Sequence, residues 1–219
     1  MNSNSCVFGR WILAALIVCS TAAFAEQGKV IPLVKPDMEG GKPLMQTLKE
    51  RKSTRRYSDK QLSKQVLSNL LWAAWGINRP ESGKRTAPSS VNRQEIDVYV
   101  ATADGLYLYD AQAHALKLIL EEDIRADTGT QGFVKTAPVN LVYVADLSKL
   151  GRRGAKSENL FSSAANTGFI SQNVYLFCAS EGLGTVVRGM VDKKSLAEKM
   201  LLRPDQRIIL AQSVGYPKE

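Results

Sequence analysis

Three segments of the 219-residue chain combine side chains that suit the binding of an anionic, planar ligand. In the first, residues 50–57, Arg51, Ser53 and Arg55 occupy alternate positions. Guanidinium groups form forked hydrogen bonds with phosphate oxygens, and the serine hydroxyl adds another donor. This segment is therefore a candidate phosphate site, although basic runs of this kind are more often solvated surface.

The second segment, residues 87–94, places Ser90, Asn92 and Gln94 at alternate positions. An amide side chain offers hydrogen-bond donors and an acceptor together, which suits the edge of a flat heterocycle. The third segment, residues 181–189, has three glycines around a predicted helix end and a predicted strand, and glycine lets a ligand approach the backbone closely. Simpler interpretations are a polar turn for the second segment and a helix end with a tight turn for the third.

Several other kinds of site are disfavoured. The sequence lacks the glycine-rich fingerprints of dinucleotide-binding and P-loop folds. The single histidine, His114, excludes two-histidine metal sites, and we expect it in an exposed loop rather than in a catalytic triad. The acidic residues 121–123 are interpreted as solvated, and no metal site is predicted. Nucleic acid is disfavoured as a partner, because the net charge of +8 comes without a basic and aromatic stripe.

The first 25 residues have the pattern of a secretory signal. Arg10 precedes a short apolar run at residues 11–19, and the Ala-Phe-Ala sequence at residues 23–25 suits signal peptidase. The run is shorter than the ~20 residues that a membrane-spanning helix needs. We therefore predict cleavage after Ala25 and an exported, periplasmic protein without a stable membrane span; an uncleaved anchor is the alternative. A lipoprotein attached through Cys19 is disfavoured, because a valine precedes it.

Removal of this signal would leave Cys178 as the single cysteine and a net charge of +7. One cysteine cannot form an internal disulfide, so stability would come from the core or from dimerisation. Cys178 lies in an apolar stretch, where a buried and inert thiol is expected. The remaining basic excess favours a ligand with phosphate groups.

Hydrophobic periodicity and turn residues divide the rest of the chain into elements. Residues 26–43 are predicted as an extended lead-in and residues 78–94 as a long ordered loop, which in a compact domain is usually functional. Helices are predicted at 44–52, 63–75, 116–126, 157–181 and 193–200. Strands are predicted at 96–101, 106–109, 139–145, 185–187 and 207–214. This order indicates a mixed α and β fold with a hairpin, not a doubly wound one.

The three polar segments, in this order and spacing, resemble the FMN-dependent nitroreductase family. The family has an Arg-x-Ser-x-Arg/Lys segment, a Pro-Ser-x-x-Asn-x-Gln loop and a Gly-Leu-Gly-Thr stretch, which begin here at Arg51, Pro88 and Gly182. The resemblance covers residues 44–217. It implies an α+β fold, with a mixed central sheet and helices on both faces, in a domain of residues 44–219. It also implies a homodimer with the 157–181 helix at the interface.

The resemblance implies an FMN site in which the first segment holds the phosphate and ribityl chain through Arg51, Ser53 and Arg55. Lys218 would also reach the phosphate. Family members usually have further cations after the last strand, whereas this sequence offers Lys218 alone at that place.

The other two segments would line the flavin ring with Ser90, Asn92, Gln94, Val187, Arg188 and Gly189. Asn92 would bind the pyrimidine edge, with the neighbouring serine and glutamine beside it. The 187–189 stretch would lie near the reactive N5, in part through backbone N–H groups. The second segment departs from the family, because Glu95-Ile96 stands where many members have Pro-Trp.

The implied activity is hydride transfer through flavin N5, from NAD(P)H or another donor to a small organic acceptor such as a nitroaromatic or a quinone. Arg55 and Arg93 are candidates for the positive charge near flavin N1 and O2. Export is unusual here, because NAD(P)H is not expected outside the cytoplasm. Two alternatives stay open: an exported flavin-binding protein without turnover, and an azoline-type dehydrogenase acting on peptides, which residues 105–110 resemble.

Overall fold

The computed structural model describes residues 28–150 and 156–218, so the predicted export signal lies outside the described residues. None of the helices in these two ranges is long and apolar enough to cross a membrane. The α-helices in these ranges are α1 (Leu44–Glu50), α2 (Lys64–Trp75), α3 (Lys156–Ser180) and α4 (Lys193–Lys199). The strands there are β1 (Val30–Pro32), β2 (Ile77–Arg79), β3 (Lys84–Arg85), β4 (Ile96–Thr102), β5 (Gly105–Asp110), β6 (Ala115–Leu120), β7 (Val139–Asp146), β8 (Gly184–Arg188) and β9 (Gln206–Gly215).

Seven of these strands form one sheet in the order β1-β6-β5-β4-β7-β9-β8, and β2 pairs with β3 in a separate short hairpin. Neighbouring strands of the sheet run antiparallel. Among the residues that the structure describes, one isolated parallel bridge joins Ser53 to Thr185 of β8. The first polar segment is thereby attached to the edge of the sheet where the third segment ends.

Helices cover both faces of this sheet. On one face, α2 and α3 pack against alternate residues of the central strands, such as Val98 and Leu141. On the other face, Leu196 of α4 packs in a second cluster that includes Val142. Because β7 is covered from both sides, all eight of its residues are buried. The predicted α+β fold with helices on both faces is confirmed, as is the buried strand at 139–145.

Helix α2 begins and ends where the sequence predicts. The hydroxyl of Ser63 accepts a hydrogen bond from the backbone N–H of Val66 at 3.2 Å, which satisfies one of the free donors of the first turn. Such a cap contributes about 1 kcal/mol to helix stability. Gly76 follows the last helical residue, and the buried face includes Leu70 and Leu71. The predicted helices that correspond to α1, α3 and α4 are confirmed as well.

The predicted helix at residues 116–126 is wrong. Residues Ala115–Leu120 form strand β6, which pairs with β5 on one side and β1 on the other. The apolar run is compatible with a helix or a strand, and the turn after β5 determines that it forms a strand. Asp110 Oδ1 accepts hydrogen bonds from the backbone N–H groups of Gln112 and Ala113, and the chain then returns antiparallel to β5. Strand β1 covers the outer edge of β6, so the edge finds a partner within the chain.

His114 lies in this turn, as predicted, but it is half-buried rather than exposed. Ser68 donates its hydroxyl proton to the carbonyl of Val34, so the Ser68 oxygen accepts from His114 Nε2 at 2.7 Å. His114 Nδ1 then accepts from the hydroxyl of Tyr109 at 3.0 Å. The neutral ring therefore joins the lead-in, α2 and the β5–β6 turn, and its burial lowers the pKa of His114 below the ordinary value of 6.5.

We expect the stability of the protein to fall when the pH is lowered from 7.5 to 5. Below pH 6.5 the unfolded chain protonates its histidine more readily than the folded chain protonates His114, so acid favours unfolding. Thermal unfolding followed by circular dichroism at several pH values measures this slope. A His114→Gln variant removes the titrating group and should show a flatter dependence. Equal slopes for the two proteins would contradict the assignment.

Candidate functional site

The first and third polar segments meet at Tyr175, on the C-terminal half of α3. The Tyr175 hydroxyl accepts a hydrogen bond from the backbone N–H of Val187 at 3.0 Å and lies 2.9 Å from Ser53 Oγ. Because the tyrosine accepts from the backbone, its own proton is available to Ser53. The guanidinium of Arg51 stacks over the same ring, 5.2 Å from its centroid. No motif predicted Tyr175, which lies in the uncharged part of α3 and resembles a core residue.

The Ser53–Thr185 bridge makes the first segment a short extended strand beside β8. The backbone N–H of Thr54 donates to the carbonyl of Thr185 at 2.9 Å and fixes this alignment. Alternate side chains of an extended segment point to opposite sides. Lys52 and Thr54 line a cavity of about 440 Å³ beside β8. Arg51, Ser53 and Arg55 alternate with them along the segment, and Arg51 and Ser53 contact Tyr175, which lines the same cavity.

The last residues of the described chain return to this segment. Tyr57 forms an antiparallel bridge with Pro217, and the backbone N–H of Lys218 donates to the carbonyl of Arg56 at 3.1 Å. Lys218 and Arg55 are both exposed there. The backbone at Lys218 thus returns to the segment that carries Arg51 and Arg55, from more than 160 residues away in the sequence.

The long loop predicted at residues 78–94 contains a short hairpin, and the second polar segment, at its end, forms a tight turn. Residues 78–94 include β3, most of β2 and a 3-10 turn at Ser90–Asn92. Val91, Asn92 and Gln94 have left-handed backbones, with φ of 44°, 55° and 51°. A β-branched residue rarely adopts this conformation, and Val91 is 80% exposed, so its own packing does not stabilise it. Strained residues of this kind persist where neighbours hold them, and they cluster at functional sites.

Asn166 of α3 attaches this turn to the helix. Its Oδ1 accepts from the backbone N–H of Ser90 at 3.2 Å, and its Nδ2 donates to Glu95 Oε1 at 2.8 Å. Glu95 is fully buried, and within the described residues its second carboxyl oxygen has no hydrogen-bond partner. The departure from Pro-Trp at this position therefore introduces a side chain that secures the turn. A charged residue directly before a buried strand was the sequence signal for this role.

The two groups of predicted residues lie on opposite flanks of α3. Asn166 and Tyr175 are nine residues apart, which is about 2.5 helical turns and about 13.5 Å along the axis. Arg55 belongs to the Tyr175 group, whereas Arg93 follows the Ser90–Asn92 turn and its backbone N–H donates to the carbonyl of Ser90. One protomer therefore presents the phosphate-type residues and the ring-edge residues on separate surfaces.

Comparison with known proteins places these features in one family. The family model described as "Nitroreductase family" matches residues 48–216. The chain belongs to the nitroreductase family. A 202-residue match to a candidate nitroreductase from Methanocaldococcus jannaschii is 30% identical and covers 86% of this chain and 98% of the archaeal one.

Solved structures of the family have the same fold. A candidate nitroreductase from Ralstonia eutropha JMP134 is 45% identical, with a TM-score of 0.83 over 89% of this chain and 92% of its own. A Desulfovibrio desulfuricans protein crystallised with FMN has a TM-score of 0.60 at 22% identity, over 81% of this chain and 88% of its own. The latter similarity establishes the fold alone.

In this nitroreductase-family protein the side chain of Arg188 is part of the core. It is 4% exposed and donates to Ser213 Oγ, to the carbonyl and hydroxyl of Thr128, and to Asn140 Oδ1. These acceptors are uncharged, and burial lowers the pKa of Arg188 to about 10. The Arg188 guanidinium therefore already binds acceptors within the protein. The backbone N–H of Val187 likewise binds Tyr175, whereas Gly189 is exposed.

The remaining predictions about ionisable groups concern metals and cysteine. Within residues 28–150 and 156–218, no cluster of His, Cys, Asp or Glu could hold a metal ion. Cys178 is fully buried, as predicted, and burial raises the pKa of its thiol. Residues 121–123 are exposed, also as predicted.

We expect Arg188→Met to lower the free energy of unfolding by about 1–3 kcal/mol, because the buried Thr128 carbonyl loses its donor. Urea unfolding measures the change. Arg203→Met is the matched control: Arg203 pairs with Asp146 but its side chain is 54% exposed, so its loss should cost under about 1 kcal/mol. An Arg188 variant as stable as the wild type would mean that burying the charge costs as much as its hydrogen bonds contribute.

Proposed function

We propose that this protein is an FMN-dependent oxidoreductase that passes a hydride through flavin N5, from NAD(P)H or another donor to a small organic acceptor such as a nitroaromatic or a quinone. The observation that supports it most directly is the convergence of Arg51, Ser53, Arg55 and Lys218 beside β8. The family match and the FMN complex of the Desulfovibrio protein agree with this assignment.

The residues beside β8 fit the phosphate end of FMN. Arg51 and Arg55 flank the exposed Ser53 along this segment, and Lys218 joins the segment through the carbonyl of Arg56. Arg51 is held over Tyr175 and loses little side-chain freedom when it binds an anion. Guanidinium forks match phosphate oxygens in geometry as well as in charge. The basic excess of the chain favours the same class of ligand.

Bound FMN would supply the two-electron chemistry, and this chain's own residues would bind and tune it. Arg51, Arg55 and Lys218 would hold the phosphate, and Ser53 the ribityl chain. Asn92 would donate to the ring edge. Arg55 or Arg93 would place positive charge near N1 and O2, where the reduced ring is negative. None of these roles requires the side chain to gain or lose a proton, which suits a protein whose single histidine is structural.

A homodimer would bring the two separated groups of site residues together. Helix α3 has no charged residue between positions 159 and 180, and its outer face exposes Phe161 at 76% and Phe169 at 49%. An exposed apolar face of this length indicates a protein interface. This face lies between the flank of Tyr175 and the flank of Asn166. A second copy packed there would place its own Ser90–Asn92 turn beside the first copy's arginine segment.

The proposed location is the periplasm, after cleavage at Ala25. A donor other than NAD(P)H would then supply the electrons, or the reduced protein would pass them to oxygen or a quinone. The alternative of an azoline-type dehydrogenase rests on residues 105–110, which form β5 of the sheet. A flavin-binding role without turnover is the other alternative. Assays with nitroaromatic, quinone and azoline-peptide substrates separate these proposals.

We expect the purified protein to have a visible flavin spectrum, retained or restored with FMN, that a reductant bleaches and an acceptor restores. Arg51→Ala should weaken FMN binding by about 10- to 100-fold, because a charged hydrogen-bond donor is lost. Fluorescence titration measures the dissociation constant, with Lys64→Ala, at an exposed position of α2, as the control. A colourless protein that cannot be reconstituted would overturn the enzyme proposal. Bleaching by dithionite but not by NADH would indicate another donor.

We expect the protein to sediment as a dimer, and Phe161→Asp to shift it toward monomer because a carboxylate would be buried at the interface. Analytical ultracentrifugation measures the mass. Leu201→Asp, at another apolar residue that is 70% exposed, is the control and should stay dimeric. A wild-type monomer that retains flavin would contradict this arrangement.

A further inference from the structure

We propose that Arg85 and Gln94 are positioning residues that hold the side-chain amide of Asn92 with its N–H₂ group outward. The turn then binds a hydrogen-bond acceptor, namely a pyrimidine carbonyl of the flavin, and not the ring N3–H. This inference rests on the proposed function, because it names the atom type that the site recognises. Three hydrogen bonds carry it, and their donors and acceptors can be assigned in only one way.

The chain begins at Arg85, whose guanidinium has only donors. Its Nε donates to Gln94 Oε1 at 2.7 Å, so the carbonyl oxygen of Gln94 must face the arginine. The amide nitrogen of Gln94 therefore faces the other way and donates to Asn92 Oδ1 at 3.1 Å. With its oxygen occupied in this way, Asn92 turns its Nδ2 outward.

A second contact fixes the same orientation from the other end. Gln94 Nε2 also donates to the backbone carbonyl of Gly83 at 3.0 Å, and a carbonyl can only accept. If the Gln94 amide were reversed, an oxygen would face the Gly83 carbonyl and a nitrogen would face the Arg85 guanidinium. Both contacts would then be repulsive, so the orientation does not depend on how the amide atoms are assigned.

The same contacts indicate that Gln94 positions Asn92 and does not bind the ligand itself. Both of its amide protons are used within the turn, and its backbone N–H donates to Ser89 Oγ at 3.0 Å. Gln94 therefore has no donor left for a ligand, although the resemblance places it beside the flavin. Asn92 is exposed, and within the described residues its Nδ2 has no protein acceptor. The contact with the ligand is assigned to Asn92, and Gln94 acts through it.

Arg85 is itself held in place. Its Nη1 donates to the carbonyl of Trp75, the last residue of α2, at 2.8 Å, and its guanidinium lies 4.7 Å from the centroid of the Trp75 ring. The β2–β3 hairpin positions its backbone opposite Ile77. The orientation of Asn92 is therefore transmitted from the buried C-terminal end of α2, through Arg85, to the strained turn.

The test compares Gln94→Glu with the wild-type full chain. A carboxylate at position 94 accepts from Arg85 but cannot donate to Asn92, so the Asn92 amide should reverse and turn its oxygen outward. FMN binding should weaken by about 10- to 100-fold. Infrared spectra of FMN labelled with ¹³C at C2 or at C4 should show the stretch of one carbonyl at higher frequency, because it loses a donor.

Variants of Arg85 provide an independent measure if the first variant does not fold. Arg85→Met should weaken FMN binding by about 2- to 10-fold, since Gly83 still orients Gln94, and Arg85→Lys should restore binding because lysine also has only donors. Lys84→Met, next to Arg85 on β3 and exposed, is the matched control and should leave binding and both carbonyl bands unchanged. Equal effects at Lys84 and Arg85 would indicate a purely structural role and overturn the proposal.

Unchanged FMN affinity and unchanged carbonyl bands in Gln94→Glu would also overturn it. A wild-type protein that binds no FMN would overturn the proposed function and the assignment of the flavin carbonyl. The amide orientation is then decided without ligand, by hydrogen exchange of the ¹⁵N-labelled side chains. The Gln94 amide protons should exchange slowly and those of Asn92 rapidly, and the reverse order would refute the orientation.

Discussion

The packing of α3 against the sheet is the interaction on which both parts of the site depend. This helix buries one face along the central strands, and its two flanks each provide one anchoring side chain. Tyr175 holds the first segment and β8 on one flank, and Asn166 holds the strained turn on the other. Because one rigid helix positions both, the two anchoring points have a fixed separation, which loops alone would not maintain.

The polar groups around this helix are ordered by the direction of their hydrogen bonds as much as by their charge. Arg85, the Ser90 backbone N–H and Arg188 can only donate, so each amide or hydroxyl next to them has a single arrangement that satisfies it. Glu95 and Arg188 are buried without an oppositely charged partner among the described residues. Such groups cost free energy, and the neutral hydrogen bonds around them offset part of that cost. These buried hydrogen bonds form a rigid scaffold beneath two exposed parts, the Ser90–Asn92 turn and the first polar segment.

Much of the fold followed from local patterns. Ser63 and Gly76 bracket α2, and the uninterrupted apolar run at 139–145 marks the central strand, because caps and burial on both faces have sequence signals. The run at 116–126 was ambiguous, since its apolar spacing suits two elements and its partners β1 and β5 lie elsewhere in the chain. His114 was misjudged for a similar reason: its partners Ser68 and Val34 are distant in sequence.

By itself, the sequence determined which residues have the chemistry of the proposed site, since the spacing of arginines, amides and glycines expresses side-chain type and backbone freedom locally. Only the tertiary structure decided how these residues are held and oriented. Tyr175, Arg85 and Asn166 belong to no motif, and they matter because folding places their donors and acceptors beside the three segments. Hydrogen bonds act over about 3 Å in space regardless of separation along the chain. A sequence therefore names the groups that can bind a ligand, and the fold sets the direction in which they bind it.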